Sequence, residues 1–366
     1  MDVKRKRMQI IGYCLVLSLM VTMIAGCAAE KPEAKPAPGI AGVEMPELLV
    51  IAGRGGPGSA YTFSISPLKY HTGAAYPRMY ISELGVGTFE TCDAVQKGEA
   101  QIGRATGTAI YHSYMGITAP GIPVEEPMDQ LRQIYCFPPV SLQMQIVRAD
   151  SDIYTMKDLV GKRISEGPAP STYADMVFPS VLAANGLTKE DIKKAGGMLS
   201  NEYASQGLDL VVSGLLDAAD YYTIHPQARL TQFFKDPGLR IISLTPEEVK
   251  MVTDRCAGYY PQDIPANTYT GQTEVIHGAG YTVPVIASAD IPDDVVYNIL
   301  AATWDDDGKY YRESHAALAD FELEDVVKYS VIPWHPGAVK YWEERGFKIP
   351  KPLTETLTPP APIPAK

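Results

Sequence analysis

The chain has 366 residues and a net charge of −11, with 46% apolar and 20% charged residues. This length favours two lobes or domains over one. The acidic balance argues against nucleic acid as a partner and against broad electrostatic docking on anionic lipid, but leaves room for a small anionic ligand whose pocket is set by local dipoles.

The N-terminus carries a basic run, Lys4-Arg5-Lys6-Arg7, followed by an apolar stretch from Met8 to Ala25. That order is the pattern of an export signal. Ile24-Ala25-Gly26-Cys27 resembles the lipobox of bacterial lipoproteins. Residues 1–26 are therefore expected to be a lipoprotein signal peptide. Cys27 is expected to be the acylated, palmitate-type anchor in the bilayer, where several acyl chains hold firmly and one holds only marginally. Residues 27–45 read as a proline-rich tether and 350–366 as a disordered proline-rich tail.

The folded body begins with Leu48–Ala52, a short apolar strand that runs into Gly53-Arg54-Gly55-Gly56-Pro57-Gly58 and then Ser59 and Tyr61. A strand feeding a glycine turn that opens a helix aims unpaired backbone N–H groups at one point, which suits a carboxylate or phosphate. Neither the lysine of a phosphate loop nor the spacing of a dinucleotide fingerprint is present. A helix around 64–73 would have Pro67 in its first turn. Met79–Leu84 reads as a strand, Thr88–Lys97 as a helix closing at Gly98, and Ala100–Thr106 as a strand. Leu131–Phe137 and Leu142–Arg148 are two extended segments separated by Pro138-Pro139.

A second unit follows the same plan. The strand Gly161–Ser165 leads into Gly167-Pro168-Ala169-Pro170-Ser171-Thr172-Tyr173 and a helix over 174–185. This is a second anion cradle of the first kind. Ala218–Tyr222 and Tyr281–Ala287 are strands, and helices follow as far as Gly346. Repeated strand–helix alternation predicts an α/β fold with mostly parallel sheets, whose ligands sit at the carboxyl ends of strands.

Several stretches, in order across the folded body, resemble the TAXI-type substrate-binding proteins of tripartite ATP-independent periplasmic (TRAP) transporters. These are Gly55–Thr62, Gly85–Thr91, Gly98–Gly103, Gly161–Ile164, Gly167–Tyr173, Ser213–Ala218, Ile264–Gln272, Ile291–Tyr297 and His335-Pro336-Gly337-Ala338. The resemblance implies a two-lobed periplasmic-binding-protein-like fold of type II with the ligand cleft between lobes. Lobe I would comprise 46–140 and 263–349, and lobe II 141–262. It also implies a small carboxylate ligand, an organic or amino acid, and TRAP permease membrane subunits as partner, with no ATP consumed. Ala60, Thr62, Thr91, Pro170 and Thr172 depart from the family pattern at pocket positions, so ligand identity does not carry over.

Position and chemistry together give the candidate contacts. Gly58, Ser59, Tyr61 and Thr88 come from the first lobe, Ser171, Thr172 and Tyr173 from the second. Thr106 ends a strand and Tyr221 sits beside Tyr222. Gly58 offers only its backbone N–H; the hydroxyls of the others can donate to a carboxylate alongside loop N–H groups, although capping or turn formation would use the same groups. Arg54 and Arg104 are the charged candidates, each able to pair bidentately with a carboxylate. A sensor feeding a signalling partner would use the same lobes. An exported hydrolase is disfavoured, because no G-x-S-x-G elbow or zinc motif is present, and no catalytic residue or cofactor is expected. Cys92, Cys136 and Cys256 allow one disulfide at most, or remain buried thiols. The six histidines show no metal spacing, and Asp305-Asp306-Asp307-Gly308 hints at a cation but lacks a full calcium loop.

Overall fold

The computed structural model describes residues 39–53, 60–118, 124–169, 171–236 and 238–357, with the side chains of 60–62 left out. All of them belong to one compact unit, Ala37–Lys366. Residues 1–26, read as a signal peptide, together with Cys27, Arg54, Gly58 and Ser59, lie outside the described residues, as does the side chain of Tyr61.

β1 (Leu48–Ala52), β2 (Tyr80–Leu84) and β3 (Ile102–Arg104) run parallel in the order β2-β1-β3. They are connected by α1 (Ala60–Ala75) and α2 (Thr88–Gln96), and α3 (Gly107–Met115) follows β3. After the long strand β4 (Leu131–Arg148) the plan repeats. β5 (Arg163–Ser165), β6 (Met198–Ser200) and β7 (Ala218–Ile224) run parallel in the order β6-β5-β7. Here α4 (Phe178–Ala184), α5 (Lys189–Lys194) and α6 (Ala204–Val212) fill the crossovers, and α7 (Ala228–Lys235) follows β7.

β8 (Leu239–Ile241), α8 (Pro246–Arg255) and β9 (Tyr259–Ile264) lead to the second long strand, β10 (Ile276–Ser288). α9 (Asp293–Thr303), α10 (Lys309–Ser314), α11 (Pro336–Glu344) and α12 (Leu353–Thr356) complete the described chain.

The two halves share one ten-stranded sheet. β10 lies antiparallel to β4, with register shifts between Tyr281 and Val283 and between Val285 and Ile286. Its N-terminal part pairs with β9 and its C-terminal part with β3. β4 pairs with β7 through residues 141–147. Each half is thus a parallel 2-1-3 unit closed by a stretch of the same two long strands. This is the α/β, two-lobed, periplasmic-binding-protein-like arrangement expected from the sequence.

Some local expectations change. Pro67 lies inside α1 and not in its first turn. Burial of Phe63, Ile65 and Leu68, and packing of the helix on α9, outweigh the backbone hydrogen bond that a proline cannot make. Pro138 and Pro139 do not separate two segments but lie within continuous β4, next to the register shift with β10, where ladder bonds are already interrupted. Cuts at 140 and 262 fall inside β4 and β9, strands that run on past them.

The folded body is also longer than the tether and tail readings allow. Ile40 exchanges hydrogen bonds with the Asn298 side chain at 2.7 and 3.1 Å, and Val43 and Met45 pack on the main core. At the other end α12 belongs to the tail read as disordered. Leu353 donates to the Ser330 carbonyl, and Leu353 and Leu357 pack against an apolar cluster that includes Ile110 and Tyr111 of α3.

Aromatic side chains of the C-terminal helices pack together in the core. Trp304 stacks on Tyr311 at 5.2 Å, and the buried Trp342 donates its indole N–H to the Ile134 carbonyl. His335 is structural: its Nδ1 accepts from the Gly337 amide at the start of α11, and its Nε2 faces the Ile291 carbonyl. Cys92, Cys136 and Cys256 are buried free thiols.

Candidate functional site

The carboxyl ends of the parallel strands in both halves converge on one place. In the first half β3 ends at Arg104, which is only 8% exposed. Its positive charge lies near Tyr222 and Tyr281, where it counters part of the upward push that burial gives both phenols. Two residues on, Thr106 is the N-cap of α3, with its hydroxyl accepting from the Ala109 amide at 3.4 Å.

In the second half β5 leads through Glu166 and Gly167 to Ser171, Thr172 and Tyr173. Gly167 has φ +75°, and a Cβ there would sit 2.7 Å from a carboxylate oxygen of Asp220, so the close approach of this loop to β7 requires glycine. Thr172 is buried, and its hydroxyl lies 3.1 Å from that of Thr106. This hydrogen bond joins the loop after β3 to the loop after β5, one from each half. Two of the sequence candidates therefore meet directly.

The other candidates divide. Tyr173 is buried and its hydroxyl accepts from Gln145 Nε2 at 3.1 Å, close to Asp220 and Glu166, whose charges add to the effect of burial in raising its pKa. Ser171 is engaged in capping: its hydroxyl accepts from the Ala174 amide while its own amide donates to Asp175. Thr88 opens α2 and is half-buried. Tyr221 is a correction. Strand alternation turns it to the far face of β7, among Leu208, Val211 and Leu230 of α6 and α7, so it packs the second-half core and lines no site there.

Its neighbour Tyr222 takes the opposite face, with Asp220 two residues before it. Directly across the β4–β7 ladder stand Gln143, opposite Tyr222, and Gln145, opposite Asp220. Tyr281 of β10 pairs with both Ser141 and Tyr259. Tyr259 donates to Gln143 Oε1 at 2.7 Å. The result is a polar floor on an otherwise apolar sheet.

Asp220 is the most exceptional group in it, at 1% exposure. Burial raises its carboxyl pKa well above the ordinary range, against a hydrogen bond from Gln143 that lowers it. Among the described residues, Asp220 Oδ1 and Gln145 Oε1 have no hydrogen-bond partner. Buried acceptors of this kind cost stability unless something donates to them.

Asp220, Tyr222, Gln143, Gln145, Tyr259 and Tyr281 were not singled out from the sequence. Asp220 carried a signal, a carboxylate in the middle of the apolar strand Ala-Ala-Asp-Tyr-Tyr. The others depend on which face of a strand they occupy. Among the described residues no helix is long and apolar enough to cross a membrane.

Comparison with solved structures finds partial likeness to binding proteins, among them the following. The alkanesulfonate-binding protein SsuA from Xanthomonas axonopodis pv. citri, bound to MOPS, has 16% identity and a TM-score of 0.46, covering 76% of this chain and 78% of that one. The periplasmic aliphatic sulphonate-binding protein SsuA from Escherichia coli has 16% identity and a TM-score of 0.45, covering 81% and 83%. A binding protein component of an ABC phosphonate transporter from Pseudomonas aeruginosa has 15% identity and a TM-score of 0.44, covering 76% and 80%. A protein-family profile matches residues 80–346, from β2 through the end of α11. By that match the chain belongs to the NMT1-like family.

Proposed function

We propose that the protein is an extracytoplasmic solute receptor that captures a small organic or amino acid between its two halves and delivers it to a TRAP-type permease. The observation that carries this reading is the buried guanidinium of Arg104 at a strand end, beside the Thr106–Thr172 bond that spans the halves. A buried arginine at the carboxyl end of a parallel strand is placed to take a ligand carboxylate in a bidentate pair. Tyr222 and Tyr281 next to it offer hydroxyl donors in the same low-dielectric surroundings.

Hinge closure supplies the mechanism. A ligand touching both loops favours the closed arrangement by the contacts that exist only there. The lipobox at Ile24–Cys27 supports an anchored location outside the cytoplasmic membrane, and the ordered TAXI-like stretches support the permease partner.

The test is native mass spectrometry of the purified full chain, followed by calorimetry with the released solute. A small acid at near-stoichiometric occupancy is expected. Arg104→Ala should weaken its binding by at least about 30-fold, the lower end of what truncating one member of a buried charge pair costs. Arg104→Lys should recover only part of it, because the ammonium cannot pair bidentately. Unchanged occupancy in a folded Arg104→Ala protein would remove Arg104 from the site and this reading with it.

A further inference from the structure

Away from the cleft, the Asp-Asp-Asp-Gly stretch between α9 and α10 acquires a partner that the sequence does not reveal. His71, near the end of α1, is brought against Asp305 and Asp306. Its Nδ1 lies 3.2 Å from Asp305 Oδ1 and its Nε2 lies 3.5 Å from Asp306 Oδ2. One ligand atom from each of the three residues falls within 4.8 Å of the others. We propose that His71, Asp305 and Asp306 form a binding site for a divalent metal ion of the zinc class, independent of the solute site.

Independent observations point the same way. His71 has a side chain 14% exposed, and its Nε2 is buried with no hydrogen-bond partner among the described residues. Asp306 is held in place before any ion arrives: Oδ1 accepts from the Gly308 amide at 3.0 Å and Oδ2 from the Tyr310 amide at 2.8 Å. Metal-binding carboxylates are characteristically oriented by such outer bonds. Among the described residues, neither Asp305 nor Asp306 has a lysine or arginine partner, whereas Asp307 is drawn off to Arg345. Two adjacent carboxylates facing one imidazole concentrate negative charge that a bound cation would offset.

The donor set selects the class. An imidazole nitrogen with two carboxylate oxygens suits zinc, cobalt or nickel, while calcium and magnesium prefer oxygen ligands alone. Three protein ligands leave room for water in the remaining position. The ion would tie the end of α1 to the α9–α10 junction, fixing the helix that follows the first glycine loop.

The experiment uses the full chain, stripped with chelator and titrated with Zn²⁺ alone by calorimetry and with Co²⁺ by visible absorption. One ion per chain is expected, with a cobalt spectrum of low coordination number and a rise in melting temperature. His71→Gln and Asp306→Asn should each weaken binding by more than the roughly 10–100-fold that loss of an outer-shell partner costs. Asp307→Asn should bind as the wild type does. Circular dichroism in chelator checks that the variants fold, and Asp305→Asn replaces any that does not. Equal zinc affinity in wild type and His71→Gln, or a His71–carboxylate ion pair that responds to pH but takes up no metal, overturns the proposal.

Discussion

Asp220 shows most sharply what a single side chain does in this molecule. A carboxyl buried on a sheet face, with one oxygen unpartnered among the described residues, is held well above its usual pKa by desolvation. The folded state therefore binds its proton more tightly than the unfolded chain, whose carboxyl titrates near 3.8. The Asp220 contribution favours folding at low pH and is lost as pH rises from the unfolded value through the folded one. Asp220→Asn should thus gain stability relative to the ligand-free wild type as pH increases from about 4 towards 8. Urea unfolding across that range measures the difference, and parallel profiles for the two proteins would contradict it.

The opposite sign holds at Asp217, whose hydrogen bond and ion pair with Arg163 depress its pKa, so that its contribution is lost on acidification. At the same scale, burial pushes the Cys92 and Cys256 thiols up to about 12 and raises Cys136 as well. None of the three should react with a thiol reagent at neutral pH in the native protein, and all three should react in denaturant. Counting adducts by mass spectrometry decides it. A rapidly modified native thiol would mean that a core site opens.

Elements carry their own constraints. Gly337, in the second position of α11, faces the backbone of Asp293 so closely that a Cβ would collide with the carbonyl there. The His-Pro-Gly-Ala run that marks the family resemblance is thus also a packing requirement between α9 and α11. Gly337→Ala should cost about 1–3 kcal/mol, the usual range for overpacking a rigid contact, read from denaturant midpoints. A neutral result would mean that the helices slide apart freely.

α12 gives a second prediction. Truncation after Ile349 removes Leu353 and Leu357 from their apolar cluster and should lower the melting temperature, whereas an unstructured tail could be removed without effect.

The sequence made some elements plain and hid others for physical reasons. β1 and the turn at Gly167 could be read because turn chemistry is local. The continuity of β4 through two prolines could not, because it depends on the irregular pairing supplied by β10 more than a hundred residues later. Thr106 and Thr172 were found by their places after strands, and the structure brings them to 3.1 Å. Tyr221 was preferred to Tyr222 because a strand apolar on both faces gives no parity signal, and only the ladder with Gln143 settles which tyrosine turns to the polar floor.

For the molecule as a whole, the Thr106–Thr172 bond is the contact most diagnostic of closure. Thr172→Val removes one hydroxyl while keeping the shape, and should weaken solute capture by about fivefold, near the ~1 kcal/mol typical of one hydrogen bond. Titration calorimetry beside the Arg104 series would reveal it, and an unaltered affinity would show that closure does not depend on this link.

The two long strands also govern the order in which the chain can be assembled. β10 lies between β3 and β4 in the sheet, yet its residues 276–288 are made long after both neighbours. Until they leave the ribosome, β3 and β4 each present an unpaired edge, and the buried apolar faces of the first half have no closing strand. Exposed edges of this kind pair with other chains. These edges therefore stay open until nearly four-fifths of the chain has emerged, and a stall before residue 276 should yield aggregate, not a folded first half.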